Sequence, residues 1–156
     1  MRVRVIAVGQ RAPAWIQQGW SEYAVRLQSS LKLQLVELPY GRRAAGADAA
    51  RAIAGESQRI LAAVKPADFV VALDERGREM STRECADWLA LRMREGADIA
   101  LLIGGPDGLG EDVLARAQSR WSLSKLTFPH ALVRVLLAEQ LYRAHSLLTN
   151  HPYHRE

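Results

Sequence analysis

Only one of the 156 residues, Cys85, is a cysteine, so no intramolecular disulfide can form and a reducing, cytoplasmic setting is expected. Apolar runs such as "FVVAL" and "IALLIG" are far shorter than the roughly 20 residues of a membrane span. The N-terminal "MRVRVIAVGQ" alternates charge with apolar residues and lacks the apolar block of a signal peptide. No internal repeat, low-complexity tract or long linker interrupts the chain, which reads as a single domain over 1–156. What remains is a composition of 49% hydrophobic and 24% charged residues, ordinary for a globular domain with one substantial core.

The net charge of +4 is unevenly distributed. Residues 1–43 carry seven Lys/Arg against two Asp/Glu, and residues 120–156 carry five against two together with all four histidines. Residues 44–119 carry nine against thirteen. If the two ends meet in space, they make a basic surface suited to a polyanion. Arg2, Arg4, Arg11, Arg42, Arg43 and Arg134 are the candidate phosphate contacts, or simply surface charge.

Strand and helix patterns alternate along the chain. "RVRVIAV" reads as a strand closed by Gly9, and Pro13 then opens a helix running to Ser29. Leu31 to Leu38 alternates as a second strand, and the loop "PYGRRAAGAD" leads into a helix from Asp48 to Val64. "DFVVAL" and "DIALLIGG" are continuous apolar strands. Between them Ser81-Thr82-Arg83-Glu84 has capping-box spacing, which predicts a helix from Ser81 to about Gly96. A short helix over Glu111 to Ser119, the segment "WSLSKLTF" and a long helix from Pro129 to Thr149 complete the pattern. The expected fold is α/β, a parallel sheet with helices on both faces. The last helix is apolar around much of its girth, from Leu132 to Leu148, and so must bury more than one side; a homodimer interface is the expected reason.

Five features bear on chemistry. "IGGPDGLG" follows a buried strand, where α/β proteins place ligand-binding turns, but it has neither the dinucleotide fingerprint nor the Lys-Ser/Thr pair of a P-loop. A plain tight turn and a binding loop both fit it. His130, His145, His151 and His154 match no familiar zinc spacing, so no metal is expected. Cys85 sits inside a predicted helix as a packed thiol, and "LDERGRE" (Asp74, Glu75, Glu79) reads as a solvated loop rather than a carboxylate pair. "SLSKLTFPH" is either a half-buried strand or an edge that offers backbone groups to a flat heterocycle, ending extended at Phe128 before Pro129.

Taken together, "LLIGGPDG", "WSLSKLTFPHALVRVLLAEQLYRA" and the terminal "HPYHRE" resemble the ribosomal RNA large-subunit methyltransferase H family, of the SPOUT superfamily of knotted methyltransferases. The resemblance runs the whole length, densest in the last third and looser over "GRRAAGADAARAIAGE". It implies an α/β fold whose C-terminal part forms a trefoil knot, a feature nearly absent from proteins at large. It further implies a homodimer that uses S-adenosylmethionine to methylate N3 of a pseudouridine in 23S rRNA, acting on assembled ribosomes. By motif match the methyl donor is held by Leu73, Gly104, Gly105 and the stretch Leu123, Ser124, Lys125, Leu126, Thr127, Phe128. Tyr153, His154 and Arg155 match the tail expected to approach the target nucleotide, in a site completed by the second subunit. His154 is then the general-base candidate, with His130 or Glu139 as alternatives. Arg155 would stabilise the imide anion or grip a phosphate, and Tyr153 would stack on or hydrogen-bond the base. A ribosome-binding factor that had lost catalysis, or a related methyltransferase with another RNA target, are the rival readings.

Overall fold

The computed structural model describes residues 1–45 and 48–155. Gly46 and Ala47 of the expected "GRRAAGAD" loop, and Glu156 at the end of the tail, lie outside the described residues. Five strands form one sheet: β1 (Arg2–Val8), β2 (Lys32–Leu38), β3 (Phe69–Glu79), β4 (Ile99–Ile103) and β5 (Ser119–Ser122). Their spatial order is β2-β1-β4-β3-β5, and every pairing is parallel. Between and after them run α1 (Ala14–Arg26), α2 (Ala49–Ala63), α3 (Thr82–Glu95), α4 (Glu111–Arg116), α5 (His130–Leu148) and a 3-10 turn over Pro152–Arg155.

The two-residue period of the strands divides the core. Val3, Val5 and Ala7 of β1, with Ile99, Leu101 and Ile103 of β4, face α1, α3 and α5 through Trp20, Leu89, Leu137 and Leu141. Ile6 and Val8, with Ala100 and Leu102, face α2 and α4 through Ile60 and Val113. All five residues of β4 are buried, as expected of a strand covered on both faces.

The capping box is present in full. Ser81 Oγ accepts from the Glu84 amide at 3.1 Å, and the Glu84 carboxylate accepts from the Ser81 amide at 2.8 Å. α3 then stops at Gly96, whose φ of +76° is the left-handed cap that glycine adopts without steric cost.

Three expectations are corrected and one open reading is decided. The "LDERGRE" stretch is not a loop: β3 continues through it to Glu79, shifting register between Leu73 and Arg78, both of which face Trp121 of β5. Gly77 allows this, because a Cβ there would stand 2.7 Å from the backbone carbons of Arg120 and Trp121. "WSLSKLTF" is a strand only as far as Ser122, after which the chain leaves the sheet as a loop. Arg4 and Arg134 are not surface cations. Arg4 is buried against Asp68 and donates to the Ala63 carbonyl at 2.7 Å. Arg134, 1% exposed, donates to Glu37 at 2.8 Å and to the Gly9 carbonyl at 2.6 Å.

Much of the apolar girth of α5 is covered within one chain. α5 packs between α1 and α3, with Val135 seated against Gly19, where an added Cβ would lie 3.1 Å from its methyl. Leu132, Val133, Val135 and Leu136 remain partly exposed, and Leu148 is exposed.

Candidate active site

In a parallel sheet all strands end on one edge, and the crevice outside their carboxyl ends is where such folds bind ligands. Here β3 delivers Leu73, Asp74 and Glu75 to that edge, and β4 delivers Ile103 followed by the turn Gly104–Gly108. Opposite them stand Ser122 of β5, then Leu123, Ser124, Leu126 and Phe128 of the loop, and His130 and Val133 from the first turn of α5. These residues enclose a cavity of about 160 Å³. A second hollow of about 480 Å³ adjoins it across Leu73, Gly105 and Phe128, and reaches Arg76 and Asp107.

Backbone geometry shapes the walls. Gly108 donates its amide to the Gly105 carbonyl at 3.1 Å and has φ +79°, closing the turn on itself. A Cβ on Gly104 would stand 2.6 Å from the Gly108 carbonyl carbon, so the turn cannot fold this tightly around any larger residue. On the facing loop, Ser124 Oγ accepts from the Leu126 amide at 3.0 Å, and Ser122 Oγ donates to the Ser124 carbonyl at 3.0 Å. These local bonds hold the loop out of the sheet and place Leu126, 71% exposed, at the mouth of the cavity.

The walls are apolar with a few polar groups at defined places. Asp74 is held below the usual carboxylate range by hydrogen bonds from Arg76, whose guanidinium lies 3.0 Å away. His130 shares a hydrogen bond of 2.6 Å between Nε2 and the Tyr40 hydroxyl. Burial, reinforced by the cations of Arg134 and Arg43, lowers its pKa below the ordinary 6.5, so the imidazole is neutral at physiological pH.

Of the residues assigned to the donor by motif, Leu73, Gly104, Gly105, Leu123, Ser124, Leu126 and Phe128 come together on this cavity. Lys125 and Thr127 are exposed and do not line it. Asp74, Glu75, Gly108 and Val133 line it without having been singled out as donor contacts.

The tail lies elsewhere in the same chain. Tyr153 donates its hydroxyl to Glu139 at 3.1 Å, packs its ring 4.6 Å from that of Tyr142, and lies beneath the Arg143 guanidinium at 4.9 Å. Burial and hydrogen bonding to Tyr23 and Glu139 raise the Tyr153 pKa, which keeps the phenol protonated. His154 bonds through Nδ1 to the His151 carbonyl, and Arg155 is exposed. None of the three lines the cavity. Burial lifts the Cys85 thiol to a pKa of about 11, so it is no nucleophile at neutral pH. Among the described residues no group of three or more His, Cys, Asp and Glu could hold a metal ion, and no helix is long and apolar enough to cross a membrane.

Comparison with known proteins decides the family. The family described as "Predicted SPOUT methyltransferase" matches residues 1–154. The chain belongs to that family. Its chemistry is therefore methyl transfer from a methyl donor. The methyltransferase is 57% identical to the "Ribosomal RNA large subunit methyltransferase H" of Alkalilimnicola ehrlichii over 155 residues, covering 99% of each chain. It is 53% identical to the protein of the same name from Thioalkalivibrio sulfidiphilus over 156 residues, covering both chains completely. Among solved structures, a probable methyltransferase from Bordetella pertussis superposes with a TM-score of 0.59 at 17% identity, over 91% of this chain and 93% of that one. A probable methylase family protein from Haemophilus influenzae gives 0.56 at 17%, over 96% of this chain and 69% of that one. These two likenesses show a shared fold.

Proposed function

We propose that this methyltransferase acts in the cytoplasm as a homodimer on assembled ribosomes, methylating N3 of a pseudouridine in 23S rRNA with S-adenosylmethionine. The observation that carries the proposal is the full-length identity, 57% and 53%, to relatives named as large-subunit rRNA methyltransferases. The cavity fits the donor. Its apolar walls at Leu73, Leu123, Phe128 and Val133 suit a flat heterocycle, the glycine turn admits close backbone approach, and Asp74 and Glu75 suit a cationic amino group. When bound, S-adenosylmethionine supplies an already activated methyl group, and the chain has to position and deprotonate. Such alignment is worth roughly 7–11 kcal/mol where it is complete.

Leu73, Gly104, Gly105 and the stretch Leu123–Phe128 hold and orient the donor in this reading, with Lys125 and Thr127 contributing through their backbone. The imide N3–H of the substrate must lose its proton, and His154 is the proposed acceptor, with Arg155 stabilising the anion and Tyr153 contacting the base. Within one chain the tail docks on α5 from Glu139 onward, whereas the cavity opens at His130; the helix rises ~14 Å between those two residues. That separation supports a site in which the tail of one subunit serves the cavity of the other. The knotted threading expected of the family's C-terminal part belongs to the same reading.

Mass mapping of rRNA modifications in a strain lacking the gene tests the proposal. Loss of one methylpseudouridine in 23S rRNA, restored by the intact gene and not by the His154→Ala variant, is the expected outcome. An unchanged modification map would defeat it.

A further inference from the structure

The turn Gly104–Gly108 contains a single charged side chain, Asp107, and that side chain is held from outside the turn. Arg43, in the loop after β2, donates Nε to Asp107 at 2.9 Å. The two terminal nitrogens of the same guanidinium donate to both oxygens of Glu56 in α2, at 2.8 and 3.1 Å. Glu56 is 2% exposed, accepts in addition from the Gly41 amide at 2.8 Å, and lies directly behind the turn: a Cβ on Gly105 would stand 3.2 Å from its carboxylate.

We infer that Arg43, seated on Glu56, is a positioning residue that holds the Gly104–Gly108 turn in the shape that receives the methyl donor. The inference rests on the donor reading proposed above. A planar guanidinium can fork onto one carboxylate and still present Nε to a second, whereas a lysine ammonium is a single point charge that cannot span the two. Glu56 is fixed by the α2 backbone, so the position of Asp107 is set by the reach of Arg43. Gly105 lines both hollows and Asp107 lines the outer one, so a turn released from Arg43 changes the walls of the binding site. Removing Arg43 also leaves the buried Glu56 carboxylate without its cation, which pushes against the turn's closed conformation. Arg43 therefore acts on the donor through the turn and is not itself one of the cavity's walls.

Calorimetry with S-adenosylhomocysteine on the intact protein, with thermal melts of each variant, tests this. Arg43→Ala should weaken binding tenfold or more, and Arg43→Lys should recover only part of the loss. Asp107→Asn, at an exposed position, should melt near the wild-type temperature and weaken binding several-fold. The double variant Arg43→Ala/Asp107→Asn should be no weaker than Arg43→Ala alone, because both changes cut the same link. In turnover, KM for the donor should rise by more than kcat falls. Arg59→Ala, an exposed cation on α2, should bind as wild type and so control for net charge. If Arg43→Ala does not fold, Arg43→Lys paired with Asp107→Asn is read in the same way. Wild-type affinity in Asp107→Asn and Arg43→Lys, or losses that simply add in the double variant, would overturn the inference. A wild-type protein that binds no S-adenosylhomocysteine would defeat the donor reading itself, a separate result.

Discussion

Gly104 shows how one residue's missing side chain sets the shape of the site. The 2.6 Å that would separate its Cβ from the Gly108 carbonyl carbon is backbone contact, which no rotamer change relieves. Gly104→Ala should cost about 1–3 kcal/mol of stability, the usual penalty of forced overpacking, and lower donor affinity in the same variant. Denaturant melts and calorimetry measure both. His130 makes a second prediction, with a definite sign. Its folded pKa lies below the ordinary 6.5, mainly through burial. Above 6.5 both the folded and unfolded forms are neutral, and as pH falls through that value the unfolded chain takes up the proton more readily. The His130 contribution to stability is therefore complete above 6.5 and declines on acidification. An NMR titration should place its midpoint below 6.5. Some residue assignments were legible in sequence and others were not, for a physical reason. Cys85 read correctly as a packed thiol because a single thiol inside an amphipathic helix has few alternatives. Arg4 and Arg134 read as surface cations because their burial depends on Asp68 and Glu37, distant in the chain and visible only once the sheet has formed.

Elements were most legible where a local signal settles them. The Ser81–Glu84 spacing starts α3 and Gly96 stops it, and both act within one turn of helix. Ser81→Ala removes the side-chain acceptor from the Glu84 amide and should lower stability by about 0.5–2 kcal/mol, read as a drop in Tm with donor affinity unchanged. β3 was legible only as far as Leu73, because its charged continuation carries no apolar alternation. What keeps Asp74–Glu79 in the sheet is the parallel partner β5 and a glycine that lets two backbones meet. The segment "SLSKLTFPH" left a half-buried strand and a ligand-facing edge equally open. Its alternation is real, but Ser122 and Ser124 spend their hydroxyls on local turns that end the strand and turn the following residues toward the cavity.

At the scale of the molecule, the parallel class of the sheet followed from the alternation of strands and helices, but the order β2-β1-β4-β3-β5 did not. Pairings between distant strands leave no mark on the period of either one. The cavity is a product of that order, since only the adjacency of β3 and β4 sets Leu73 beside Gly104. The tail is the part of the proposed site that one chain does not bring to the cavity. Removing residues 151–156 should leave folding and donor binding intact and abolish transfer. Mixing this truncated protein with a full-length Gly104→Ala variant should restore activity in the hybrid, if tails serve the partner's cavity. A truncated protein that methylates at the wild-type rate would show the tail to be dispensable.

Methyl transfer in a purified system tests the proposed reaction without intermediaries. Intact protein, S-adenosylmethionine carrying a labelled methyl group, and ribosomes from a strain lacking the gene should yield label on one 23S rRNA pseudouridine, at N3, by nucleoside mass spectrometry. Label on another nucleotide, or no label from a protein that demonstrably binds the donor, would contradict the account.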